Sequence, residues 1–83
     1  MEYVYRTRGV CSSQISFNLD NNIVTDVKFL GGCNGNLKAI AKLIEGMEAD
    51  KIVSILEGNS CGSRPTSCAD QLAQAIKLAQ QKS

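Results

Sequence analysis

The sequence predicts an α+β domain: an N-terminal antiparallel sheet of two or three strands, covered on one face by three helices. That layering buries one side of a sheet under the apolar stripes of helices. Three observations carry the prediction. Residues 14–19 and 23–29 flank an Asp-Asn-Asn turn, and each is patterned as a strand. Beyond Gly31 the apolar spacing lengthens to that of a helix. Gly46 and Gly58 then divide the rest of the chain into three helix-length pieces.

Tyr3-Val4-Tyr5-Arg6-Thr7 has the β-branched and aromatic content of a strand. Arg8-Gly9-Val10-Cys11-Ser12-Ser13 follows as a loop carrying the first cysteine. From Gln14 to Leu19 the alternation is clean: Ile15, Phe17 and Leu19 point one way, and Gln14, Ser16 and Asn18 the other. Asp20-Asn21-Asn22 is turn chemistry, because Asn and Asp tolerate left-handed backbone. Ile23 to Phe29 is the return strand of a hairpin, with Val27 and Phe29 on one face and Asp26 and Lys28 on the other.

Leu37, Ile40, Ala41 and Ile44 fall at helical spacing, and Gly46 is placed to end that helix. Glu48-Ala49-Asp50 sets acids at the start of a shorter helix whose apolar face is Ile52, Val53 and Leu56, stopped by Gly58. Asn59 to Pro65 is a loop holding Cys61. The last helix runs from about Ser67 to Gln81, with Ala69, Leu72, Ala73 and Ile76 as one face. Ser67 and Asp70 have capping-box spacing at its start, Lys77 and Lys82 suit its C-terminal end, and residues 80–83 are expected to fray.

At 83 residues the chain reads as one domain, 1–83, with a core thin enough to call for a metal, disulfides or a partner. Formal net charge is +1, with no basic run and no tryptophan, so a nucleic-acid surface is not supported. No apolar stretch approaches the ~20 residues of a membrane span, and the N-terminus lacks a signal-peptide pattern. The expectation is a complete, soluble, cytoplasmic chain. A short sheet leaves an open edge, where Tyr3-Val4-Tyr5 would pair or pack across a homodimer.

The chemistry concentrates in four cysteines, Cys11, Cys33, Cys61 and Cys68, in a chain with no histidine. In a cytosolic setting such a set favours metal or redox chemistry over structural disulfides. Cys33 lies in Gly31-Gly32-Cys33-Asn34-Gly35-Asn36, where a strand hands over to a helix, and Cys68 stands at the start of the last helix. A helix N-terminus offers unpaired N–H groups and partial positive charge. Cys11 precedes the first hairpin strand and Cys33 follows the second, so antiparallel pairing sets both at one end of the sheet. If the last helix starts at that end, Cys68 joins them, and Cys61, seven residues earlier, lies on a loop that can bring it in.

Four thiolates suit zinc or an iron–sulfur cluster. No Cys-x-x-Cys pair is present, so this is not a zinc ribbon or a ferredoxin run. The alternative for each thiol is a small buried residue. The turn containing Gly32, Asn34, Gly35 and Asn36 also has the composition of an anion-binding nest, or of a simple helix cap. It lacks the Gly-Lys-Ser/Thr ending of a Walker A loop and the spacing of a dinucleotide fingerprint.

Thr66-Ser67-Cys68-Ala69-Asp70, with Gly-Gly-Cys-x-Gly-Asn and Cys-Gly upstream, resembles the TSCPD domain family over nearly the whole chain. Ala69 replaces the proline of the Thr-Ser-Cys-Pro-Asp motif, a mild change because early helical positions accept proline without needing it. TSCPD domains occur as short free-standing bacterial proteins and at the C-terminal end of adenosylcobalamin-dependent ribonucleotide reductases. The resemblance therefore implies a link to ribonucleotide reduction and deoxynucleotide synthesis, as an accessory or recruiting module without independent catalysis.

A more distant likeness is to the U-type iron–sulfur cluster assembly scaffolds. It rests on the order of Cys11, Asp26 with Phe29, Cys33 and Cys68. It departs from them at Ser13 and Ser67, where the scaffolds carry an acid and a histidine, while Cys61 is an additional thiol.

The leading expectation is thus a zinc site held by Cys11, Cys33, Cys61 and Cys68. The alternatives are a Cys61–Cys68 dithiol/disulfide relay to a reductase, in which Cys68 attacks, and carriage of an iron–sulfur cluster. A weaker one is a nucleotide- or flavin-binding module using the glycine-rich turn.

Overall fold

The hairpin forms the frame of the domain. In the computed structural model, which describes residues 1–7, 12–31, 34–59 and 67–82, strand β2 (Ser12–Asp20) turns into β3 (Ile23–Gly31) through Asn21 and Asn22. Their φ values are +52° and +63°. Left-handed backbone at both central residues marks the turn that matches strand twist in two-residue hairpin loops, and Asn is among the few side chains that accept it. Strand β1 (Glu2–Arg6) pairs antiparallel with β2, setting Tyr3 opposite Phe17 and Tyr5 opposite Ile15. The Tyr3 and Phe17 rings stack with centroids 5.8 Å apart. Both tyrosines pack on the domain's own core.

Ile15, Phe17 and Leu19 are buried, as their alternation predicts. On β3 the pattern is more complex. The register passes from Ser16↔Lys28 to Asn18↔Thr25, so Phe17 faces both Asp26 and Val27. This is a β-bulge, and Asp26 holds it with φ +54°. The extra residue resets the alternation, and Val24 and Val27, three positions apart, are both buried. The Asp26 N–H donates to Glu45 Oε1 at 2.9 Å, and Asn18 Nδ2 donates to Asp26 Oδ2 at 3.1 Å.

Helix α1 (Asn34–Ile44) begins three residues before the apolar spacing signals it, so Asn34-Gly35-Asn36 forms its first turn rather than a loop. Leu37 and Ile44 are buried, with Ile40 and Ala41 half-buried. Gly46, at φ +78°, reverses the chain, and its N–H donates to the Val24 carbonyl at 2.8 Å. That turn lays Met47–Glu48 beside β3 as a two-residue β4, giving a four-stranded antiparallel sheet in the order β1-β2-β3-β4. Two residues are too few to show a period, which is why the sequence does not announce this strand.

Helix α2 (Ala49–Leu56) follows at once, with the Ala49 N–H donating to the Asn22 carbonyl at 2.8 Å. Helix α3 (Cys68–Lys82) packs on both α2 and β2. Its buried face is wider than four residues, since Asp70, Gln71, Ala75 and Ala79 join Ala69, Leu72, Ala73 and Ile76. Contact on two sides buries more of a helix's circumference than a single amphipathic stripe. Lys77 pairs with Glu57 at the end of α2 instead of serving only the helix terminus. The last turn, expected to fray, is tied down: Gln80 Nε2 donates to Asn22 Oδ1 at 3.0 Å and to Asp50 Oδ1 at 2.7 Å.

The core centres on Ile15, Phe17, Val24, Ile52, Leu72 and Ile76. No helix among the described residues is long and apolar enough to cross a membrane.

Candidate functional site at the start of the last helix

The hairpin has a closed end and an open end. At the closed end, the Asn21-Asn22 turn meets the first turn of α2 and the last turn of α3. At the open end Ser12 pairs with Gly31. Cys11 precedes Ser12 by one residue and Cys33 follows Gly31 by two. Cys11, Gly32, Cys33 and Cys61 themselves lie outside the described residues.

Cys68 is described, as the half-buried first residue of α3. Helices α2 and α3 run antiparallel. Asp50 at the start of α2 meets Gln80 near the end of α3, and Gly58 beyond α2 meets Asp70 near the start of α3. Cys68 therefore sits at the end of the helical pair away from the hairpin turn. At 1.5 Å per residue it lies ~18 Å along the helix axis from Gln80.

The residues flanking Cys68 have well-defined structural roles. Ser67 Oγ accepts the Asp70 N–H at 3.1 Å, the bond of a helix N-cap. Ser67 Oγ also donates to the Asn59 carbonyl at 2.6 Å, and the Ser67 carbonyl accepts the Gln71 N–H at 2.8 Å. Asp70 Oδ1 accepts the Gly58 N–H at 2.7 Å. Gly58 has φ +83°, a backbone that disfavours side chains. Ser67 and Asp70 thus stitch the start of α3 to the end of α2 and hold Cys68 between them on a fixed helical turn. The capping-box spacing locates Ser67 and Asp70 in the sequence, but it does not reveal Gly58, twelve residues upstream, as a partner of the aspartate.

In the glycine-rich turn, Gly35 and Asn36 are exposed in the first turn of α1. A Cβ added at Gly35 meets nothing within 4 Å, so packing among the described residues does not demand glycine there. Among the described residues no three Cys, Asp or Glu side chains group as a metal site. The expected four-thiolate set has only Cys68 within that part of the chain.

Neither the curated proteins nor the solved structures contain a match to this chain. The family model described as the TSCPD domain matches residues 2–80, spanning all four strands and the motif at Cys68. This chain belongs to the TSCPD domain family.

Proposed function

We propose that this TSCPD domain is a small cysteine-ligated metal-binding module, with zinc as the metal and Cys11, Cys33, Cys61 and Cys68 as ligands. It acts as an accessory or recruiting element in ribonucleotide reduction. The observation that carries the reading is the Ser12↔Gly31 pair. Ser12 and Gly31 pair at the open end of the sheet and stand one and two residues in sequence from Cys11 and Cys33, while α3 starts with Cys68 at the end away from the hairpin turn. The donor chemistry fits: four sulfurs in a chain without histidine suit a closed structural zinc site. Zinc bound there would cross-link parts of the chain far apart in sequence and add folding free energy to a thin core. The tie to ribonucleotide reduction rests on where TSCPD domains occur.

Elemental analysis with an absorption spectrum, on protein purified without oxygen, tests the reading. About one zinc per chain without visible bands is expected, and Cys33→Ser is expected to lose both metal and stability. Full metal content in that variant removes Cys33 from the site. Iron with sulfide bands transfers the proposal to cluster carriage, and a co-purifying nucleotide or flavin transfers it to a cofactor-binding module.

A second reading has one observation in its favour. Cys68 is only half-buried, on a helix start fixed by Ser67, which suits an attacking thiol paired with Cys61. Thiol titration of the metal-free reduced protein separates the two readings. Equal, slow reaction of both thiols rejects the relay.

A further inference from the structure

Among the described residues the sheet ends on one side at β1, and the main chain of β1 shows which of its groups face away from β2. Leu19 N–H donates to the Met1 carbonyl at 2.9 Å, and Thr7 N–H donates to the Ser13 carbonyl at 3.2 Å. These bonds bracket the strand. In an antiparallel ladder, residues directed at the neighbouring strand alternate with residues directed away. Met1, Tyr3, Tyr5 and Thr7 therefore turn their N–H and C=O groups toward β2, and Glu2, Val4 and Arg6 turn theirs outward. The side chains divide in the same way: Tyr3 and Tyr5 pack on the core, while Glu2, Val4 and Arg6 are exposed on the opposite face of the sheet.

We propose that β1 pairs antiparallel with β1 of a second copy of this chain about a two-fold axis at Val4. In that register Val4 faces the partner's Val4, and Glu2 and Arg6 face the partner's Arg6 and Glu2. All three are outward-directed positions, so each pair exchanges two main-chain hydrogen bonds and the parity of the ladder is satisfied without rearrangement.

The charges select this register. Glu2 and Arg6 lie equally far from Val4 and carry opposite signs, so both ends of the paired strands bring acid against base on one face. A slip of two residues in either direction keeps the parity but sets a charge against valine. Edge strands avoid self-pairing most simply with charges of one sign, which would repel in this arrangement. Here the edge is complementary to itself. Val4, an apolar side chain left 60% exposed, becomes covered by its symmetry mate, and Tyr3 comes to lie opposite the partner's Tyr5 on the core side. The product is an isologous dimer with one continuous eight-stranded sheet, four strands from each copy. The proposal uses no cysteine and stands apart from the metal site.

Sedimentation equilibrium of the full chain over a concentration series tests it, with circular dichroism to verify folding of each variant. The wild type is expected to pass from 8.9 kDa to twice that mass as concentration rises. Glu2→Arg and Arg6→Glu each place like charges opposite one another twice per dimer and should weaken association roughly tenfold. The double swap Glu2→Arg/Arg6→Glu should restore it. Val4→Pro should abolish the dimer while the monomer stays folded, because the lost N–H faces outward.

A second hydrophobic surface gives the experiment its contrast. The apolar groove between α1 and α2, lined by Ile40, Leu43, Met47, Ile52 and Ile55, is the other candidate interface. A wild type that stays at 8.9 kDa throughout overturns the proposal. So does a dimer indifferent to the charge swaps, or one lost in Leu43→Glu and retained in Val4→Pro.

Discussion

Gly58 donates its main-chain N–H to Oδ1 of Asp70 across 2.7 Å, and this bond joins the end of α2 to the first turn of α3. Asp70 is buried, and its own N–H goes to Ser67 Oγ. One aspartate therefore takes part in two contacts, the cap of its own helix and the docking of that helix on the preceding one. This position accounts for an aspartate at residue 70, since a side chain without an oxygen at that reach would remove this acceptor from the Gly58 N–H.

Asp70→Ala is accordingly expected to lower stability by about 1–3 kcal/mol, the worth of a partly buried hydrogen bond to a charged acceptor. Asp70→Asn retains a carbonyl oxygen in the same place and should cost less. Urea unfolding followed by circular dichroism measures both. Equal midpoints for Asp70→Ala and the wild type would mean that the Gly58 bond contributes nothing net.

Asp26 offers a test of the bulge. Its φ of +54° suits Asn and Gly and opposes β-branched residues. Asp26→Val should cost about 1–2 kcal/mol for the left-handed backbone alone, with a further loss from the side-chain bond that Asn18 Nδ2 donates to Asp26 Oδ2. Asp26→Gly loses the side-chain bond to Asn18, keeps the main-chain N–H that donates to Glu45, and relieves the backbone, so it should lie above Asp26→Val in melting temperature. The reverse order would show that the position is not left-handed in solution.

The contrast between these two sites indicates what the sequence can convey. Alternation identified Ile15, Phe17 and Leu19 as one face because β2 is regular there, and all three are buried. On β3 the bulge interrupts the period, so the burial of Val24 beside Val27 follows from a backbone feature that no side-chain pattern records. The hairpin turn was legible because two consecutive Asn residues supply its unusual backbone. The two-residue β4 was not, because its position comes from the Gly46 bond to Val24 and not from its own composition. At the candidate site, spacing located Ser67 and Asp70 as a cap. The docking of Asp70 on Gly58 is a long-range contact that required the fold.

Phe17 tests how much the thin core can lose. It is 1% exposed, stacks on Tyr3 and faces the bulge. Phe17→Ala should cost about 3–5 kcal/mol from lost burial and the cavity left behind. A small domain holds only about 5–15 kcal/mol in total, so this variant should be partly unfolded at room temperature. Phe17→Leu keeps most of the volume and should remain cooperative. A sharp, wild-type-like thermal transition in Phe17→Ala would place the centre of the core elsewhere.

Ser67 and Cys68 are neighbours with separable roles, and a pair of variants distinguishes the cap from the proposed ligand. Ser67→Ala removes the cap and the bond to Asn59 and should destabilise the domain by about 1 kcal/mol or somewhat more. It keeps all four thiols, so bound zinc should persist. Cys68→Ser leaves the cap in place. Its metal-free form should still unfold in one cooperative transition, while its zinc content falls. Measuring zinc per chain and urea midpoints, with and without a chelator, gives a two-way comparison. Under the metal-binding reading, the chelator lowers the midpoint of wild type and Ser67→Ala and leaves Cys68→Ser nearly unchanged. If chelation moves none of the three, zinc makes no contribution to the fold, and the half-buried thiol at the start of α3 is better assigned to redox exchange.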